Sequence, residues 1–224
     1  MEKAIKICGL KTEEALETAL LCGATHIGLV FYPPSPRAVA LVEAARLAAV
    51  VKARAQVVAL VVDPDDALLA ELVTTVTPDM FQLHGSESPA RVAEIRKTFE
   101  VPVMKAIRIG SRADLAPVPD HARFADALLF DARPPKGEGL GLPGGNGVAF
   151  DWSLVAGLDI GVPIMLSGGL DANNVAEAVR ETGITSVDVS SGVESAPGEK
   201  DKALIRAFID AAKHAQREFQ GVYV

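Results

Sequence analysis

Short, apolar, β-branched runs recur along this chain, with stretches of helical periodicity between them. The runs fall at residues 4–8 (AIKIC), 26–31 (HIGLVF), 56–62 (QVVALVV), 80–84 (MFQLH), 101–107 (VPVMKAI), 126–131 (DALLFD), 162–167 (VPIMLS) and 186–190 (SVDVS). Each has the length and near-continuous hydrophobicity of a buried parallel strand. After the first run, TEEALETALLCG opens on a threonine cap, puts acids in its first turn and stops at a glycine. RAVALVEAARLAAVVKA, DPDDALLAELVTTV and SPARVAEIRKTFE follow the next three runs, the last entered through Ser-Pro. DANNVAEAVRETG and DKALIRAFIDAAKHAQREF read as helices too, whereas the proline-broken SRADLAPVPDHARFA and DWSLVAGL leave room only for short ones. Eight strand–helix units predict an α/β fold, a single (β/α)8 TIM barrel occupying residues 1–224 as one domain. A doubly wound sheet is the alternative. It calls for a glycine-rich nucleotide loop after the first strand, and CGLKTEEA is not one.

A barrel fixes which side chains look inward. Alternate residues of each strand point into the barrel or out toward the helices, and the apolar set belongs outside, under helical cover. Ile5 and Ile7, Phe81 and Leu83, Leu128 and Phe130, and Val187 and Val189 are therefore expected outside. Lys6 and Cys8, Gln82 and His84, Asp131, and Asp188 and Ser190 are left inside. Lys6 and Asp188 lie deep in their strands and fit a structural ion pair. Cys8 and Asp131 end theirs, at the carboxy-terminal rim where barrel enzymes keep their active sites.

Composition narrows the function classes. A formal charge of -7 and no Lys/Arg-rich run argue against nucleic-acid binding, which needs clustered cations. The opening MEKAIKICG lacks the apolar stretch of a signal peptide, and no segment approaches a membrane span in length, so a cytoplasmic protein is expected. Two cysteines, Cys8 and Cys22, make neither a disulfide framework nor a zinc spacing. Cys22, on the inner face of the first helix and near the opposite end, is expected to be a small buried hydrophobe.

A rim thiol can serve as a base once it is ionised, and a carboxyl across the barrel can supply the matching acid. That pair suits proton-transfer chemistry such as aldose–ketose isomerisation. LSGGLDANN (166–174) and VSSGVESAPGEKD (189–201) each run from a strand end through glycine toward a helix start. Loops after the seventh and eighth strands are the usual phosphate site of this fold, where backbone amides receive the dianion. GGNG (144–147) adds a third glycine-rich element after the sixth strand. FYPPSPR (31–37) is a proline-stiffened loop ending in Arg37, whose guanidinium suits a carboxylate.

Taken together, KICGL (6–10), FYPPSPR (31–37), QLHG (82–85), LLFD (128–131), GGNG with FDW (144–152), LSGGL (166–170) and SSGVES (190–195) closely resemble the phosphoribosylanthranilate isomerase family of tryptophan biosynthesis. The resemblance extends in order across essentially the whole barrel. It implies a cofactor-free, metal-free Amadori rearrangement of a small phosphorylated substrate, N-(5-phosphoribosyl)anthranilate. By the same resemblance Cys8 is the general base and Asp131 the general acid. Arg37 faces the anthranilate carboxylate, His84 sits at the mouth of the site, and Gly145, Gly168, Gly169, Ser191 and Gly192 line the phosphate loops. Asn at the third place of GGNG stands where Thr or Ser is commoner, and the Pro/Gly-rich segment 132–147 is a candidate lid. The alternatives are a related phosphosugar isomerase of histidine biosynthesis, which uses a carboxylate where Cys8 stands, and a non-catalytic barrel that holds a phosphorylated metabolite. Monomer and homodimer are both left open.

Overall fold

A computed structural model describes residues 3–133 and 149–221. Eight parallel strands close into a barrel in chain order: β1 (Ile5–Cys8), β2 (His26–Val30), β3 (Gln56–Val61), β4 (Met80–Leu83), β5 (Val103–Ile109), β6 (Ala127–Ala132), β7 (Ile164–Leu166) and β8 (Ser186–Val189). Lys6 of β1 pairs with Asp188 of β8 on one side and His26 of β2 on the other, which completes the ring. The helices outside it are α1 (Glu13–Cys22), α2 (Leu41–Val51), α3 (Asp66–Thr75), α4 (Pro89–Phe99), α5 (Val118–Ala122), α6 (Val175–Thr182) and α7 (Lys202–Gly221). No helix among the described residues is long and apolar enough to cross a membrane.

The local signals act as the sequence suggests. Thr12, Asp65 and Ser88 each accept a backbone N–H at the start of α1, α3 and α4, and Gly23 ends α1 in the left-handed conformation. The alternation also holds. Ile5, Ile7, Phe81, Leu83, Leu128, Phe130, Val187 and Val189 join the shell packed between strands and helices. A separate, smaller cluster of Val58, Met80, Met104, Ala106, Leu129 and Met165, with Ala4 and Ala127, fills the barrel interior. Most of that cluster comes from β3 to β7, so the interior opposite, under β1, β2 and β8, is the polar side.

The structure departs from the sequence reading in a few places. The periodic stretch after β2 does not become helix at residue 37. Ala38 forms an isolated bridge to Val30, and α2 begins only at Leu41. The chain hugs the end of β2 because Arg37 is drawn inward by a buried carboxylate described below. The segment after β7 runs through its glycines to the start of α6 at Val175, as the sequence suggests. After β8, a 3₁₀ turn (Ser191–Val193) leads into a small antiparallel hairpin, β9 (Glu194–Ala196) with β10 (Glu199–Lys200), before α7. DWSLVAGL makes one 3₁₀ turn, Trp152–Val155. Cys22 is half-buried at the end of α1, beside Arg206 and Lys213 of α7, and is not the fully buried hydrophobe expected. Both cysteines are free thiols.

Candidate active site

The carboxy-terminal ends of the strands surround an open pocket. Its wall includes Cys8 from β1, Tyr32, Ser35 and Arg37 from the loop after β2, Gln82 and His84 from the end of β4, and Asp131 from β6. Ser167, Gly168 and Gly169 after β7, and Ser190 and Ser191 after β8, complete it. Seven of the expected site residues thus share one cavity. Gly192 packs just behind it, and Gly145 lies outside the described residues, as does most of the 132–147 segment.

Asp131 is buried and held on both oxygens. Its Oδ1 accepts the N–H of Ala132 at 3.0 Å, and its Oδ2 meets His84 Nε2 at 3.1 Å. His84 Nδ1 receives the Gln82 amide at 2.9 Å, an arrangement that leaves the ring proton on Nε2, aimed at the carboxylate. The loop carrying His84 is braced from behind. Lys105 of β5 donates to the carbonyls of Leu83 and Gly85 and to Glu87 Oε2 at 2.8 Å. Glu87 in turn accepts the backbone N–H of Asp63 and Gly85. Burial works against the Glu87 charge, but Lys105 together with the backbone N–H donors outweighs it and holds the carboxyl below its ordinary range.

Arg37 is buried, with Nε and one terminal nitrogen each 2.8 Å from the two oxygens of Glu194. Lys200 of β10 reaches Glu194 at 2.7 Å and the Ser190 carbonyl at 2.9 Å. Burial disfavours every charge in this group. Arg37 and Lys200 nevertheless keep the Glu194 carboxyl below its usual range, while burial pulls the Lys200 ammonium down. The hairpin therefore fixes a guanidinium in the pocket wall through a fork-to-fork contact. Sequence reasoning passed over Glu194 and Lys200. The SGVE motif contained the signal for the first, but the hairpin that aims both has no period of its own in the sequence.

The glycine loops interlock backbone to backbone. Gly168 has a φ of +87°, and a Cβ there would overlap the Ala132 N–H next to Asp131. A Cβ on Gly192 would overlap the Leu170 carbonyl. Both positions admit only glycine, because the loops after β6, β7 and β8 touch there.

The relation to known proteins follows that geometry. Residues 5–211 match the family model described as N-(5'phosphoribosyl)anthranilate (PRA) isomerase. The chain belongs to that family. A relative from Rhodopseudomonas palustris (strain BisB18), named N-(5'-phosphoribosyl)anthranilate isomerase, is 56% identical over 216 residues, covering 96% of this chain and 98% of the relative. Among solved structures, the phosphoribosyl anthranilate isomerase of Thermotoga maritima superposes with a TM-score of 0.83 at 31% identity, covering 94% of this chain and 98% of the other. A family structure in complex with reduced 1-(o-carboxyphenylamino)-1-deoxyribulose 5-phosphate gives 0.81 at 30% identity, with the same coverage. Within this family, the pocket of Cys8 and Asp131 occupies the rim where a barrel does its chemistry.

Proposed function

We propose that this pocket performs the family's reaction in tryptophan biosynthesis, the isomerisation of N-(5'-phosphoribosyl)anthranilate to 1-(2-carboxyphenylamino)-1-deoxyribulose 5-phosphate. One observation carries the residue assignment. A thiol from β1 and a carboxyl from β6 face the same cavity, beside two glycine loops suited to a phosphate. With the phosphate on the amides around Gly168, Gly169, Ser191 and Gly192, the ribose lies between Cys8 and Asp131. Asp131 as the acid gives its proton to the ring oxygen, the bond from that oxygen to C1 breaks, and an iminium forms. Cys8 as thiolate takes the C2 proton, leaving an enolamine that tautomerises to the ketone. Arg37, fixed by Glu194, faces the anthranilate carboxylate, and His84 keeps Asp131 oriented toward the ring.

Loss of phosphoribosylanthranilate fluorescence on mixing with the protein measures turnover directly. Cys8→Ala and Asp131→Ala are each expected to slow it by roughly 10²–10⁴-fold with the fold intact. Wild-type rates in both variants would refute the assignment of the two residues, whereas no fluorescence loss with the unaltered protein would leave the binding barrel standing. The thiol at position 8 also separates this reading from the histidine-pathway isomerases, so the corresponding ribonucleotide should not be turned over.

A further inference from the structure

Lys6 and Cys8 stand two residues apart on β1 and both face the barrel interior. Lys6 is completely buried. Its Nζ sits 2.8 Å from Asp188 Oδ1, and the other Asp188 oxygen accepts the Ser167 hydroxyl at 2.9 Å. The ammonium is thus held in place by a carboxylate that is itself anchored. Across from it on β2 is Gly28, the register partner of Cys8. A Cβ on Gly28 would lie 2.8 Å from Cys8 Sγ and 3.1 Å from Lys6 Nζ. Sulfur and ammonium therefore lean over the same bare glycine, and the charge of each favours the charge of the other. An ordinary ion pair between β1 and β8 would need neither the glycine nor the sulfur.

We propose that Lys6 is a positioning residue for Cys8: locked by Asp188 and Ser167 and given room by Gly28, its ammonium stabilises the thiolate that takes the substrate proton. This rests on Cys8 being the base. Burial pushes the Cys8 thiol up, and Lys6 is the largest force pulling it back, ahead of Lys200. Asp188 pushes in the same direction as burial. Lys6 stays cationic, because Asp188 and Cys8 together outweigh its own burial. The other charged or titratable groups around the sulfur are Arg37 on the loop after β2, Glu194 on the hairpin, and His84 and Asp131 across the pocket. None of these is in hydrogen-bond contact with Sγ among the described residues.

The test is the ultraviolet titration of the Cys8 thiolate, taken as the difference between each protein and its Cys8→Ala counterpart so that Cys22 and tyrosine cancel. In Lys6→Met the thiolate should appear about one pH unit or more higher than in wild type. The alkaline-rising limb of kcat should move with it, while KM changes less than about twofold. Lys6→Arg, which keeps a cation, should recover part of the shift. Because Lys6→Met leaves Asp188 buried without its partner, Lys6→Met/Asp188→Leu is measured beside it. Its titration should also rise, since Lys6 acts on the sulfur more strongly than Asp188 does. A Lys6 that is only structural would lower the melting temperature of Lys6→Met and leave the titration where it was, which would overturn the proposal. Wild-type turnover in Cys8→Ala would remove the base itself, and the proposal with it. The two failures differ in which measurement gives way.

Discussion

His26 opens β2 inside the barrel, buried, with Nδ1 2.8 Å from the Thr25 hydroxyl and Nε2 lacking a partner among the described residues. Burial first, and then the neighbouring Lys6 charge, depress its pKa from 6.5 to about 4. Asp188 and Gln56 oppose this only in part. A drop of about 2.5 units corresponds to roughly 3 kcal/mol at ~1.4 kcal/mol per unit. The sign follows from which state holds the proton. Between the two pKa values the unfolded chain binds a proton that the native chain refuses, so the native state loses stability as pH falls from about 6.5 toward 4. By about pH 5 roughly 2 kcal/mol of the total should already be gone.

Replacing His26 with Gln keeps a polar side chain of similar size and removes the titration. Urea unfolding of both proteins at about pH 8 and about pH 5 should then show wild type losing roughly 2 kcal/mol more than the variant. His121, also depressed by burial, titrates in both proteins and cancels. Carboxylates held low by partners, such as Glu87 and Glu194, are lost further down the pH scale and cancel as well. Equal losses in the two proteins would refute the argument, because they would mean that the imidazole accepts its proton without unfolding anything.

Two further substitutions probe the frame of the site. Gly168→Ala forces a side chain into a left-handed residue pressed on Ala132, so the melt should reveal a loss on the order of 1–3 kcal/mol, with KM raised more than kcat is lowered; an unchanged melting curve would show that the loop has room to move. Lys105→Met leaves Glu87 buried and unpaired, at a cost of about 3–5 kcal/mol by urea unfolding. Adding Glu87→Leu should return most of it, and no recovery in the double variant would mean that Lys105 acts through the carbonyls of Leu83 and Gly85 instead.

The barrel was legible because its two periodicities are local. Alternation along a strand and caps at a helix start are written in neighbouring residues, and Thr12, Ser88 and the outward isoleucines of β1 needed nothing else. Cys8 and Asp131 were legible for the same reason, since parity plus position at a strand end determines where a side chain points. What escaped depends on contacts between distant segments. Arg37 and Glu194 are 157 positions apart, and only their encounter explains why the chain hugs β2 at Ala38 before α2 begins. The glycine loops were located by composition, yet their contact with Ala132 and Leu170 is a property of three loops packed together. Lys105 lies on the outward, apolar parity of β5, and no local pattern announces that it braces the loop of His84.

The buried charges then divide by position in a way that stability alone does not explain. A buried ion pair is seldom worth more than the well-packed apolar side chains that could replace it, and the lower layer of the interior from β3 to β7 is indeed packed with Met, Ala, Leu and Val. The pairs that persist, Lys6 with Asp188, Arg37 with Glu194 and Lys200, and Lys105 with Glu87, each touch or support a residue of the pocket wall. Their cost in desolvation falls where a proton must leave carbon and a carboxylate must be received. Lys6 is the sharpest case. An inward position on β1 that only filled space would hold an apolar side chain like its neighbour Ala4, whereas a lysine there is worth its burial only if the field it casts on Cys8 is used.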